Sequence, residues 1–524
     1  MALGKSDKQR RFDDPVAVLG DRLKDGSIYK LLATHGHELF GDEYFTDCYS
    51  GARDGRPTVP ARILATVMLL QAFEGLSDRE AVDRLGFDLR WQAAAGVPIG
   101  TEAFHPTVLV GARNRLRASV RPRRLFEDTK VVAKATGALG QRARVLDSTP
   151  IYDAVATEDT VTQLRAVIRK LLVVLDQTAD PLAVEVRAAL LRDDEYATPG
   201  KPPCDWDDRA AREALVDALV KDANAVLFVL SGHELEGATK AAAELVALVA
   251  GQDVAEGDDG VFRIVRGVAK DRVISTTDTE ARHGHKSKNR HFDGYKAHLS
   301  IDPDSELIDE IVATPANTHD ARAAEALLKA HVADEDKPMV LGDSAYADGA
   351  TRKALGEKGF TLMAKCPPIR NATGGFTKDR FVIDLEARTV TCPAGQVAVI
   401  TPRTDRSGVA RFAPHCGTCP LRSACTNSRV GRSVTINEHE AILQHARAEQ
   451  ADPGWIAVYR ANRPLVERKI AHLVRRGWGG RRGRTRGLER IATDLDTRAG
   501  AINWARLAML GLSFGPNGWT LAGA

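Results

Sequence analysis

The run from Arg290 to Tyr346 limits what this chain can fold into more than any other stretch. It reads R-H-F-D-G-Y-K-A-H-L-S-I-D, then E-L-I-D-E-I-V-A-T-P-A-N-T-H-D, then a helical run, then P-M-V-L-G-D-S-A-Y. β-Branched and aromatic residues in partial alternation predict two strands, and Pro303-Asp304-Ser305 predicts the turn between them. Met339 to Leu341 predicts a short buried strand that leads into Asp343. An aspartate at the exit of a buried strand sits on a rigid element and faces a cleft. A second run of the same form, A-R-V-L-D-S-T-P-I-Y, places Asp147 after Val145 and Leu146. If the two strands are neighbours in one sheet, their carboxylates lie side by side, as oxygen ligands for a divalent cation would. Taken singly, each aspartate serves equally as a helix N-cap or turn residue.

Length and composition set wider bounds. The 524 residues correspond to roughly three or four units at about 150 residues per domain. A net charge of +3 excludes nothing, but its uneven spread is informative. The N-terminal residues are polar and lack the apolar core of a signal peptide. No window approaches the roughly 18 consecutive apolar residues of a membrane span. Seven cysteines are an odd count for a secreted disulfide framework. These features predict a cytoplasmic protein that makes no membrane contact.

Val59, Ile63, Val67, Leu70 and Phe73 recur at spacings near three and four and predict a helix with one apolar face. Ser77 and Glu80 form a capping box for a second helix, which is expected to stop at Gly86. Helix, Gly-containing turn and helix suit a helix-turn-helix, and suit a plain packing module as well. Residues 108–140 add a basic helical segment with Arg113, Arg115, Arg117, Arg121, Arg123 and Arg124, read as phosphate contacts or as a solvated face. Periodic apolar runs between 155 and 258 predict a helical insertion. Beyond residue 366 short β pieces replace the helical period, and Cys392, Cys416, Cys419 and Cys425 fall among them, with Cys366 and His415 near. One close pair and two single thiols suit either structural zinc or reduced, partly buried cysteines.

Helical periodicity returns at 438–475, broken at Asp452-Pro453-Gly454. Pro464 suits a first helical position better than an interior one. Val466, Ile470 and Leu473 make an apolar stripe with Glu467 at its edge. A carboxylate there points into a cleft or pairs with a charge one turn away. Residues 475–486, R-R-G-W-G-G-R-R-G-R-T-R, hold six arginines and no acid. That run suits a phosphate backbone, with Trp478 placed to stack on a base. An apolar helix is predicted from Leu488 to Leu512.

These motifs together resemble the DDE-type transposases of bacterial insertion sequences, in the branch with a cysteine-rich insertion late in the catalytic domain. The resemblance rests on H-G-H-K-S-K-N-R-H-F-D-G-Y-K-A-H-L-S-I-D, T-P-A-N-T-H-D, L-G-D-S-A-Y, C-P-A-G with C-x-x-C-P-L-R-x-x-C, and Y-R-x-x-R-x-x-x-E, in that order. It implies an α/β, RNase H-like core in which a mixed sheet is flanked by helices. The implied units are an N-terminal helical, DNA-binding domain (1–140), a core (141–365) interrupted by the helical insertion (155–258), a cysteine-rich β insertion (366–437), and completion of the core (438–524). The implied catalytic and metal-binding triad is Asp147, Asp343 and Glu467, holding two magnesium or manganese ions about 3.5–4 Å apart. Implied DNA contacts are His283, Lys286, Lys288, Arg290, Lys296, Tyr459, Arg463, Arg475, Arg476, Arg481 and Arg482. The family places a lysine seven residues after the glutamate. Val474 stands there, with Arg475 next to take over a phosphate. The implied activity is cleavage at the ends of an insertion sequence and strand transfer into target DNA, by an oligomer on DNA. The alternatives are a DNA-binding protein without catalysis and a general metal-dependent nuclease.

Overall fold

Strand β1 (Ala143–Tyr152) is the spine of a mixed sheet. Residues 3–4, 13–49, 58–178, 180–194, 196–287, 289–371, 374–475 and 480–522 are described by the structure, a computed structural model. On one edge of β1 runs the antiparallel β3 (Arg290–Ile301), in register from Val145↔Ile301 to Tyr152↔Gly294. The far edge of β3 is covered first by β2 (Arg282–Ser287) and then by β4 (Ile308–Pro315). On its other edge β1 pairs in parallel with β5 (Met339–Gly342), and β5 with β6 (Leu362–Ala364). Gly294 has φ +128°, and a Cβ there would lie 2.5 Å from the Ile151 carbonyl oxygen. Only glycine lets β3 cross the end of β1 so closely. The predicted turn forms after β3, where the Asp302 carboxylate accepts from Ser305 Oγ (2.7 Å) and the Asp304 amide (3.1 Å).

The N-terminal segment is helical: α1 (Ile28–Leu39), α2 (Ala61–Glu74), α3 (Asp78–Phe87), α4 (Leu89–Ala95), α5 (Thr107–Arg117) and α6 (Arg124–Ala135). The Ser77–Glu80 capping box forms with both hydrogen bonds. Gly86 does not end α3; the helix runs on to Phe87 and Asp88 then caps α4. Gly75 and Gly96, at the ends of α2 and α4, are left-handed. The arginines of 108–140 are largely spent inside the fold. Arg113 pairs with Asp78, Arg121 with Asp128, and Arg123 with Glu310 and Asp496. Arg124 is buried against Asp47.

Helices α7 (Thr160–Gln177), α8 (Leu182–Ala189), α9 (Arg209–Ser231) and α10 (Gly237–Gln252) pack on each other around an apolar core of their own. After β6 and α11 (Gly349–Glu357), five short strands form an antiparallel meander: β7 (Val382–Asp384), β8 (Thr389–Thr391), β9 (Val397–Pro402), β10 (Gly408–Arg411) and β11 (Ser433–Ile436).

The chain then returns to the main sheet through α12 (Glu440–Gln450), α13 (Pro453–Leu473) and α14 (Leu488–Met509). Asp452 caps α13, accepting from the Trp455 amide at 2.8 Å, with Pro453 in the first turn. The helix runs straight through Pro464, against expectation. An interior proline costs on the order of 3 kcal/mol. Burial of Tyr459, Val466, Ile470 and Leu473 against the sheet, at roughly 1.5–3 kcal/mol for each large apolar side chain, offsets it. Helix α14 serves two cores. Trp504 and Leu507 fill the N-terminal helical core, while Ile491, Leu495 and Ala499 pack on the sheet. The Asn503 amide clasps the backbone of Ile308 with two 2.8 Å hydrogen bonds and so covers the free edge of β4. No helix among the described residues is long and apolar enough to cross a membrane.

Candidate functional site

The parallel register of β1 and β5 pairs Val145 with Leu341. Two residues further on stand Asp147 and Asp343. Asp343 follows the exit of β5, whereas β1 does not end at Asp147 as its sequence suggests but runs on to Tyr152, so Asp147 sits mid-strand just past the end of its pairing with β5. Positions in parallel register share a face, so both carboxylates open into one cleft of about 660 Å³. Asp343 caps the short turn that follows, accepting from the Ala345 amide at 2.9 Å. Asp147 accepts from the Ser148 amide at 2.7 Å. Tyr459 donates its hydroxyl to the Gly342 carbonyl at 3.1 Å and so braces the strand end below Asp343. It is buried and stacked on Trp455, 5.0 Å between ring centres, which turns this expected DNA contact into a support of the sheet.

Arg463 dominates the electrostatics. Its guanidinium lies 3.0 Å from Asp147 and 3.9 Å from Glu467, one turn along α13. Burial pushes the Asp147 carboxyl above the usual carboxylate range, and Arg463 offsets this only in part. Burial also opposes the charge of Arg463, but the Asp147 carboxylate outweighs it and raises the guanidinium pKa. Glu467 lines the same cleft, at its rim, with a side chain 67% exposed. Among the described residues, no group of three or more His, Cys, Asp or Glu side chains is arranged to hold a metal ion. Two carboxylates stand together at the floor and the third is held apart on the arginine.

A fourth acid enters the cleft without having been anticipated. Asp320 accepts from Ser148 Oγ and from Lys296 Nζ, both at 2.8 Å. Burial opposes its charge, but Lys296 prevails and lowers its pKa. Asp320 closes the T-P-A-N-T-H-D motif, which was its only signal in the sequence. Lys296 therefore faces the cleft with its ammonium already engaged, by Asp320 and by the Thr318 carbonyl. His283 is likewise tied to Asp293, at 2.6 Å.

The remaining basic candidates divide. Lys286 and Arg481 line the cleft, and Arg290 and Arg482 are exposed outside it. Lys288, Arg476 and Trp478 lie outside the described residues. The described end of the arginine run, 480–486, is no free loop. The Tyr152 amide donates to the Arg481 carbonyl (2.7 Å) and the Gly483 amide to the Tyr152 carbonyl (2.6 Å), extending the end of β1. Arg484 reaches back to Asp78, at 3.2 Å. Arg475, expected to replace the family's lysine, turns to a different cleft. In the small sheet, Cys392, Cys416, Cys419 and Cys425 border one narrow cavity with His415, and all are free thiols. Burial raises the Cys425 thiol pKa, and the three neighbouring cysteines add to the effect.

A mixed sheet that opens aspartates from two neighbouring strands into a cleft lined by both acids and bases fits an RNase H-like core. Residues 268–504 match the family model described as Transposase DDE domain, and residues 18–115 match Transposase domain (DUF772). The chain belongs to the DDE transposases of insertion sequences. The first match takes in Asp343 and Glu467 and begins after β1, which carries Asp147. No curated protein and no solved structure matches the chain.

Proposed function

We propose that this transposase cuts DNA at the ends of an insertion sequence and joins the freed 3′ ends to target DNA, with Asp147, Asp343 and Glu467 as the acids of the reaction. The observation that carries this reading is the parallel register of β1 and β5, which sets Asp147 and Asp343 at one height beside one cleft. All-oxygen carboxylate donors suit magnesium or manganese, which retain waters and also coordinate phosphate oxygens. When bound, such ions supply an activated water or hydroxyl nucleophile and charge stabilisation of the leaving oxygen. The chain's own part is to hold that site and place the phosphodiester. Arg463 neutralises Asp147 until a phosphate or cation enters, and Glu467 completes the acids from the rim. Lys286, Lys288, Arg290, Arg476, Arg481 and Arg482 take the DNA backbone, the arginine run acting from the end of the strand that bears Asp147. Two or more copies assemble on paired element ends.

Cleavage of end-containing DNA with magnesium tests the reading. Asp343→Asn protein is expected to bind that DNA and leave it uncut; full cleavage by the variant sinks the assignment. The exposure of Glu467, held away from the aspartates by Arg463, favours a second reading in which the chain binds DNA without cutting it. Intact DNA after incubation with the parent protein would select that reading. The four thiols around the narrow cavity are the candidates for structural zinc. Zinc that is present in the purified parent and absent from Cys416→Ser supports that site, and zinc absent from both removes it.

A further inference from the structure

A second cleft, of about 690 Å³, lies on the face of α13 turned away from the aspartates. Its two walls differ in kind. The wall made by α13 and the residues just after it is cationic, with Arg468, Lys469 and Arg475, while the facing wall is apolar, with Tyr29, Phe73 and Ile502. The Tyr29 and Phe73 rings meet edge to face at 6.3 Å, and Phe73 is 42% exposed to the cleft and solvent.

The charges inside do not balance. Glu306 has left-handed backbone, φ +62°, on the turn between β3 and β4. Its carboxylate is shared by Arg468 (2.6 Å), Lys469 (3.2 Å) and Arg506 (3.8 Å). Three cations thus share one anion. The other acid of the cleft, Glu74, already accepts from Tyr29 Oη and Trp91 Nε1, both at 2.6 Å. No described side chain pairs with Arg475. Burial, reinforced by the charge of Lys469, holds His472 below its ordinary pKa, consistent with surplus positive charge.

We propose that this cleft binds one unpaired nucleotide, its base against Phe73 and Tyr29 and its phosphate on Arg468 and Arg475. A duplex backbone needs cations but no aromatic wall, and an apolar segment needs the wall but no surplus of cations. A nucleotide uses both, since every base has a π face and every linkage a charge. The volume is that of an ordinary small-ligand site. The nucleotide comes from a single-stranded stretch of DNA or from a free nucleoside phosphate.

The test uses full-length protein without divalent ions, so it stands or falls separately from cleavage. Fluorescence anisotropy would follow a labelled single-stranded oligonucleotide, a labelled nucleoside triphosphate and a labelled duplex against the parent, Phe73→Ala and Arg468→Ala. Both side chains are well exposed, so neither change threatens the fold. Each variant is expected to bind the single strand about tenfold more weakly, with duplex affinity unchanged. An equal loss for the triphosphate assigns the site to free nucleotides, and a loss for the oligonucleotide alone assigns it to a strand. Unchanged single-strand binding in both variants overturns the proposal. An equal loss for the duplex, or a loss confined to Arg468→Ala, overturns it too.

Discussion

Replacing Arg463 by glutamine should move stability and cation affinity in opposite directions. The guanidinium is the counter-ion of a largely buried aspartate, 3.0 Å away. Its removal leaves the Asp147 carboxylate, with a side chain 14% exposed, with the Ser148 amide but no counter-ion, at a cost of about 3 kcal/mol in metal-free protein. The same positive charge opposes any cation that enters. A dication about 5 Å from the guanidinium is repelled by about 7 kcal/mol at an effective dielectric of about 20. The arginine relieves much of that by swinging away and giving up Asp147, so the expected gain in the variant is a fraction of it. At least a tenfold tighter affinity, about 1.4 kcal/mol, should survive. The assay is thermal melting with and without manganese, backed by calorimetric titration of manganese. Arg463→Gln should melt lower than the parent without metal, and manganese should raise its melting temperature by the larger increment. Weaker manganese binding by the variant would refute the reasoning, because Arg463 would then help to hold the ion rather than stand in for it.

Three further outcomes follow from the packing. Burial pushes the Asp496 carboxyl up to about 6, against the pull of Arg123, from 3.8. A raised carboxyl pKa favours the fold at low pH, so this contribution is lost as pH rises through 6. The parent should gain up to about 3 kcal/mol over Asp496→Asn as pH falls from 7 towards 4 in paired denaturant titrations, and parallel curves would refute it. Asn503→Ala leaves a buried N–H and C=O of Ile308 unpaired and should cost about 3 kcal/mol, read from urea unfolding. Asp78→Asn weakens the ion pairs to Arg113 and Arg484. It should speed proteolysis within 480–486, and unchanged nicking there would show that the arginine run is held by its backbone alone.

Much of the site was legible because its signals are local. Apolar residues running into Asp147 and Asp343 mark buried strands wherever they occur, although β1 continues past Asp147 to Tyr152, and capping residues such as Ser77 and Asp452 act on their own turn. What was misread depends on distant partners. Nothing near Arg123 or Arg124 in sequence reveals that Glu310, Asp496 and Asp47 will neutralise them, so a structural set of arginines resembles a phosphate-binding one. Asp320 was overlooked because its meaning comes from Lys296 and Ser148, on two other strands. Pro464 misled because local propensity predicts a break, whereas burial along α13 overrides it. Arg475 lies one residue beyond the family's lysine position and past the end of α13 at Leu473, so helical spacing from Glu467 no longer fixes the face it takes.

The double duty of α14 bears on the order in which the protein matures. Trp504 meets Phe40 edge to face, 6.0 Å between ring centres, and Leu507 lies in the same core, so helices made early are completed by one made much later. During synthesis the amino-terminal helices leave the ribosome with that slot open and must wait for some four hundred and sixty further residues. A nascent or prematurely terminated chain therefore carries an unfilled apolar groove at its leading end, which chaperones and proteases can recognise. The groove closes only once α14 has been made and has docked.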